Sequence, residues 1–316
     1  MSQPKVYIDG QAGTTGLRIR EWLAGRSDIE LLTVEESRRK DLDARREQVE
    51  AADLCVLCLP DDAAREAVTW GGKKTRFLDA STAHRVADGW VYGLPELEAA
   101  QRESIRHAQF VSNPGCYPSA FVLLVRPLVD AGIIAPDTPF AIHALSGYSG
   151  GGRQLIERWE AAGTGLVGLP YEAPYALDKV HKHIPEMCKY ADIGLEPQFV
   201  PAVGAFRCGM RVQVPLHTTL LSDDADAAQV RACWETRYAG ETFVRVADAP
   251  TLVEETSFDP QACNDTNSIA LHVQEHPSGH LLLIALLDNL GKGASGAAIQ
   301  NMNIMLGLGE SEGLPA

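Results

Sequence analysis

The sequence predicts an α/β protein: a parallel sheet covered by helices on both faces in roughly the first 115 residues, then a mixed α+β domain from Cys116 onward. Three observations predict it. Short apolar runs alternate with polar, helix-like stretches up to residue 115; a glycine-rich turn follows the first of those runs; and after Cys116 the apolar runs lengthen and stand farther apart.

In order, Val6-Tyr7-Ile8 reads as a strand, followed by the turn Gly10 to Gly16 and a helix from Thr15 to Ala24. Ile29 to Val34 is a second strand, Asp41 to Ala51 a polar helix, and Leu54 to Leu59 a third strand. Pro60-Asp61-Asp62 opens a helix reaching Trp70, and Arg76 to Asp79 is a fourth strand. This βαβαβ order implies right-handed crossovers. Beyond it, a helix runs from Pro118 toward Val129, bent or ended by Pro127. Strands are expected at Phe140–Leu145, Cys208–Leu216, Ser268–Val273 and Leu281–Leu287, with much antiparallel pairing, and helices at Asp224–Tyr238 and Ala294–Leu306. The domains are expected to be 1–115 with 289–316, and 116–288.

Composition bounds the function. A chain of 316 residues holds about two domains. Hydrophobic residues at 45% and charged residues at 22% describe a globular protein with an ample core. A net charge of −14 argues against nucleic acid or an anionic membrane as partner. The longest apolar run, Leu281 to Leu287, is too short to span a bilayer. The first five residues are followed by no signal-peptide core, and seven irregularly spaced cysteines suit a reducing compartment, so a cytoplasmic location is expected. Cys55-Val-Leu-Cys58 has CxxC spacing, but on a strand the two thiols face opposite sides, so no metal is expected there.

The turn Gly10-Gln-Ala-Gly13-Thr14-Thr15-Gly16 stands between the first strand and a helix. Glycines there let backbone N–H groups approach a pyrophosphate, and the helix N-terminus adds partial positive charge. This marks a Rossmann-like dinucleotide-binding domain. After the second strand, Glu35-Glu36-Ser37-Arg38-Arg39-Lys40 offers carboxylates for a free ribose hydroxyl and a Ser and Arg for a 2′-phosphate. Arg is the better bidentate partner for phosphate, which favours NADP through Ser37 and Arg38.

Asn113-Pro114-Gly115-Cys116-Tyr117-Pro118 places a cysteine at a helix N-terminus, where the dipole favours a thiolate. The same N–H groups can hold an oxyanion on a bound thioester. A thiol nucleophile needs an acid/base, and the pair His181 and His183 in His-Lys-His-Ile-Pro-Glu offers one, pointing one way if the segment is extended.

With these segments in view the chain resembles the N-acetyl-γ-glutamyl-phosphate reductase family, in its shorter bacterial form. The likeness is carried by Gly10–Gly16, Asp79-Ala-Ser-Thr-Ala-His-Arg85, Tyr92-Gly-Leu-Pro-Glu-Leu97 and Asn113–Pro118. It continues through Ser146-Gly-Tyr-Ser-Gly-Gly-Gly-Arg153, His181–Glu186 and Asp288-Asn-Leu-Gly-Lys-Gly-Ala-Ser-Gly296. The resemblance implies a fold like that of glyceraldehyde-phosphate and semialdehyde dehydrogenases. It implies NADPH-dependent reduction of an acyl phosphate to a semialdehyde in arginine biosynthesis, through a thioester on Cys116. It assigns the acid/base to His183, with His181 as the alternative. It brings Pro60, Asn289, Lys292 and Gly293 to the cofactor, and Ser81, Arg85, Asn113, Gly147, Ser149 and Arg153 to the substrate's phosphate and carboxylate. The run of glycines before Arg153 reads as an anion-binding backbone nest. A homodimer or homotetramer is expected. An aspartate-semialdehyde dehydrogenase-like enzyme and a non-catalytic NADP-sensing module are the alternatives.

Overall fold

A computed structural model describes residues 3–161, 171–222, 225–248, 254 and 256–316. The chain divides into two compact units, Met1–Gly115 with Ala294–Leu314, and Cys116–Gly293 with Pro315–Ala316.

The first unit begins with β1 (Lys5–Asp9), α1 (Thr14–Leu23), β2 (Glu30–Leu32), α2 (Leu42–Ala51), β3 (Leu54–Leu57) and α3 (Asp61–Val68). It continues with β4 (Arg76–Asp79), β5 (Val91–Tyr92), α4 (Gln101–His107) and β6 (Phe110–Ser112). The strands form one sheet in the order β2-β1-β3-β4-β6-β5, and every pairing is parallel. Alternation sorts the strand residues onto two cores. Val6, Ile8, Val56 and Leu78 pack on one face with Ile19, Leu23 and Ile105. Tyr7, Cys55, Leu57 and Phe77 pack on the other with Val49, Ala64 and Ala67. Cys55 and Cys58 fall on opposite sides, and burial pushes the Cys58 thiol up to about 12.

The second unit opens with α5 (Cys116–Asp130), then β7 (Ala141–Gly147), α6 (Gly152–Glu160), β8 (Glu172–Pro174), α7 (Ile184–Ala191) and β9 (Gln198–Gly204). β10 (Met210–Leu216), α8 (Ala227–Arg237), β11 (Val244–Val246), β12 (Ile269–Glu275) and β13 (Leu281–Leu287) complete it. The sheet order is β11-β12-β13-β10-β7-β9-β8. β12/β13, β13/β10, β10/β7 and β8/β9 are antiparallel, while β11/β12 and β7/β9 are parallel.

Pro127 neither ends α5 nor leaves it unsatisfied. Proline has no N–H for the carbonyl four residues back. That carbonyl, on Leu123, accepts from the Tyr238 hydroxyl at 2.6 Å, and Trp234 Nε1 donates to Leu124 O at 3.0 Å. The helix runs on to Asp130, with the Tyr238 hydroxyl just beyond α8 standing in for the one N–H the proline lacks.

After β13 a π-helical turn, Gly291–Ser295, leads into α9 (Gly296–Leu306), which packs on β3, β4, α1 and α4 of the first unit. The sequence starts this return at residue 289; the structure starts it at Ala294. Residues 288–291 stay with the second unit because their polar groups are fastened there. Asp288 accepts from Asp265 N at 2.9 Å, and Asn289 accepts from Gly209 N at 2.8 Å.

Candidate active site

The cofactor side is built on the glycine turn. Gly10 has φ +86°, and a Cβ there would lie 2.2 Å from the Cys58 carbonyl oxygen. A Cβ on Gly16 would lie 2.7 Å from Gly10 O, so neither position admits a side chain. Gly13, which has no side chain to cap with, N-caps α1, and Thr14 and Thr15 form the first turn. This cradle at the carboxyl end of β1 fits a dinucleotide pyrophosphate. Pro60, after β3, N-caps α3. Ser37 and Arg38 lie in an exposed 3-10 turn, Glu36–Arg38. There Arg38 donates from Nε and Nη2 to Asp41, the N-cap of α2, at 3.2 and 3.1 Å.

On the same edge, Asp79 closes β4 fully buried. Its carboxylate accepts from Ser81 N (2.9 Å), Ser81 Oγ (2.7 Å) and the His84 ring at Nδ1 (2.6 Å). His84 stacks on Trp90 with ring centroids 4.0 Å apart. The Ser81 hydroxyl, expected at the substrate, is thus taken up inside its own loop, where it also accepts from Ala83 N. Arg85 follows, buried, with Nη2 donating to Ala80 O at 3.2 Å. The sequence motif contains His84, but nothing in its spacing announces the pairing with Asp79.

Asn113 is also engaged internally. Its Nδ2 donates to Ala294 O at 3.0 Å and its Oδ1 accepts from Asn301 at 3.1 Å, so it positions the turn before Cys116 rather than presenting a free amide to substrate.

Cys116 is the first residue of α5, where the helix dipole favours an anion. Tyr117, buried behind it, faces both candidate histidines: its ring centroid lies 5.9 Å from that of His181 and 5.8 Å from that of His183. The two imidazoles are 4.8 Å apart. The segment is a turn rather than the expected extended strand: His183, in the right-handed helical region, caps α7, and its N–H donates to His181 Nδ1 at 3.2 Å. Burial, with Lys182 and Lys179 adding to it, pushes the His181 imidazole down to about 4. Tyr175, which sequence reasoning missed, donates from its hydroxyl to that of Tyr117 at 3.1 Å. Burial raises it to about 12, and the neighbouring Cys116 charge pushes the same way.

A Cβ on Gly293 would lie 2.8 Å from the Cβ of Cys116, so Gly293 is held at the nucleophile by close approach. Its neighbours go elsewhere. Asn289 donates to Ser149 Oγ at 2.9 Å and accepts from Gly209, and Lys292 is buried with its ammonium 5.6 Å from the centre of the Phe243 ring. Both were expected at the nicotinamide; the structure places them in the packing of the second unit. The residues leading into the three glycines before Arg153 are paired within the second unit. The amides of Gly147, Tyr148 and Ser149 donate to the carbonyls of Gly209, Phe206 and Arg207, and Ser149 is buried against Cys208. Arg153, on α6, points to solvent and pairs with Glu157 at 2.6 Å.

Known proteins resemble the chain along nearly its whole length. The family described as "Semialdehyde dehydrogenase, NAD binding domain" matches residues 5–107, and "Semialdehyde dehydrogenase, dimerisation domain" matches residues 116–289. N-acetyl-gamma-glutamyl-phosphate reductase of Trichormus variabilis is 48% identical over 99% of this chain and all of its own length. N-acetyl-gamma-glutamyl-phosphate reductase 2 of Pseudomonas putida is 46% identical with the same coverage. Among solved structures, aspartate semialdehyde dehydrogenase of Francisella tularensis superposes with a TM-score of 0.74 at 14% identity, over 96% of this chain and 100% of that one. Aspartate semialdehyde dehydrogenase II of Vibrio cholerae, solved with ASA, gives 0.70 at 17%, covering 97% and 99%. Those likenesses establish the fold. The relatives, nearly half identical from end to end, establish the lineage: the chain belongs to the N-acetyl-gamma-glutamyl-phosphate reductase family.

Proposed function

We propose that this protein reduces N-acetyl-L-glutamyl 5-phosphate to N-acetyl-L-glutamate 5-semialdehyde with NADPH, releasing phosphate, as a step of arginine biosynthesis. The observation that carries this is a cysteine at a helix N-terminus with a histidine pair, His183 of it buried, packed on the next side chain. The family relationship supplies the substrate.

The Cys116 thiolate attacks the acyl carbonyl carbon, the C–O bond to phosphate breaks, and a thioester remains. Bound NADPH supplies a hydride equivalent for the reduction of that carbonyl. The resulting oxyanion is stabilised by the first amides of α5 and takes a proton, and expulsion of the thiolate releases the aldehyde. His183 is the proposed proton donor. His181, whose Nδ1 accepts from the His183 amide, is proposed to fix the turn that presents it. Arg85 is the proposed cation for the substrate's phosphate or carboxylate. Gly10, Gly13, Thr14, Thr15 and Gly16 are proposed to cradle the pyrophosphate, with Ser37 and Arg38 toward the 2′-phosphate. A homo-oligomer, dimer or tetramer, working in the cytoplasm completes the reading.

The reverse reaction tests it. Phosphate, N-acetylglutamate semialdehyde and NADP⁺ are expected to give phosphate-dependent absorbance of reduced nicotinamide, abolished in Cys116→Ala. A signal with aspartate semialdehyde alone would overturn the substrate. Tight NADP binding with no turnover of any aldehyde would overturn the reaction.

A further inference from the structure

The glycine turn starts from a buried negative charge. Asp9, the last residue of β1, is 2% exposed, and Gly10 follows it directly. Arg45, in the first turn of α2, meets this carboxylate side-on: Nε to Oδ1 at 3.0 Å and Nη2 to Oδ2 at 2.9 Å. The guanidinium itself lies 5.0 Å from the centre of the Trp70 ring, and the Tyr7 hydroxyl donates to Asp9 Oδ1 at 3.4 Å. A pyrophosphate seated on the turn carries negative charge, and an uncompensated carboxylate one residue upstream opposes it in a medium that screens poorly. A two-bond fork both cancels that charge and fixes its direction.

We propose that Arg45 is a positioning residue for the dinucleotide: it neutralises Asp9 and holds the Asp9–Gly10 link in the geometry the pyrophosphate requires. The inference rests on the reading that this turn binds NADP(H). Because it concerns the pyrophosphate, it applies to NADPH and NADH alike, which separates it from any contact with the 2′-phosphate.

The test is binding, not turnover. Dissociation constants of NADPH and NADH are measured by calorimetry on the full-length protein without substrate, beside melting temperature. Arg45→Met is expected to weaken both dinucleotides by a similar factor, about tenfold. The double variant Asp9→Asn/Arg45→Met, which removes the buried charge as well, is expected to recover most of that loss. Arg45→Lys, which keeps charge but not the fork, is expected to fall between, and it carries the test if Arg45→Met does not fold. Unchanged affinity in Arg45→Met, failure of the double variant to recover, or weakening of NADPH alone would each overturn the proposal. Wild-type protein that binds neither dinucleotide would defeat the cofactor reading itself and this inference with it.

Discussion

The carboxamides of Asn113 and Asn301 meet at 3.1 Å, and Asn301 donates from the same Nδ2 to Gly93 O at 2.8 Å. A fully buried amide on α9 thereby ties Gly93, at the end of β5, to the turn three residues before Cys116. Replacing Asn301 with Ala leaves the Gly93 carbonyl and the Asn113 side chain without that donor. The expected stability loss is about 1–3 kcal/mol, read as a lower denaturant midpoint. A fall in kcat is expected beside it, because the nucleophile's approach turn loses its tether.

Gly293 makes a sharper prediction. Its missing Cβ would stand 2.8 Å from the Cβ of Cys116, with Asp288 O at 3.1 Å. Gly293→Ala is expected to displace the thiol and lower kcat by up to about 10²-fold, with a stability loss of about 1–3 kcal/mol beside it. Alkylation of Cys116 by iodoacetamide checks the cause: its rate should change in the variant, and unchanged rates would place the defect elsewhere.

His181 sets an acid limit. Its imidazole is lowered from 6.5 to about 4, chiefly by burial. The folded state therefore disfavours the protonated ring relative to the unfolded chain. The stability this site contributes is fully present above pH 6.5 and declines as pH falls from 6.5 toward 4. His181→Asn should flatten that part of the stability profile, measured by urea unfolding across the same range.

Pro127 and Tyr238 form a testable pair. Tyr238→Phe removes the donor to Leu123 O, at an expected cost of about 1–3 kcal/mol. In Pro127→Ala the backbone regains an N–H for that carbonyl, so the Tyr238→Phe penalty should shrink, as a double-mutant cycle of unfolding free energies would register.

Much of this is legible in the sequence, for identifiable reasons. β13 stands where its apolar run places it, and the parallel sheet of the first unit follows from strands buried on both faces. β5, β6, β8, β9 and β11 are not legible, because short or proline-bearing strands carry little periodicity: β8 contains Pro174, β9 contains Pro201, and β5 has two residues. At the site, Cys116 and the histidine pair are local signals and could be read. The disposition of polar side chains could not. Asn113, Ser149, Asn289 and Lys292 all look free to meet a ligand in the chain, yet each is taken up by a partner or by packing that only tertiary structure supplies. Asp9 and Arg45, 36 residues apart, have no sequence signature at all.

The most direct measurement is to trap the acyl enzyme. N-acetylglutamyl phosphate is added to the protein without NADPH, phosphate release is followed, and the intact protein and its peptides are weighed. A stoichiometric burst of phosphate with one N-acetylglutamyl group on Cys116, absent in Cys116→Ala, is the predicted result. Phosphate release with no added mass, or an adduct that persists in Cys116→Ala, would contradict the central claim that Cys116 carries the reaction.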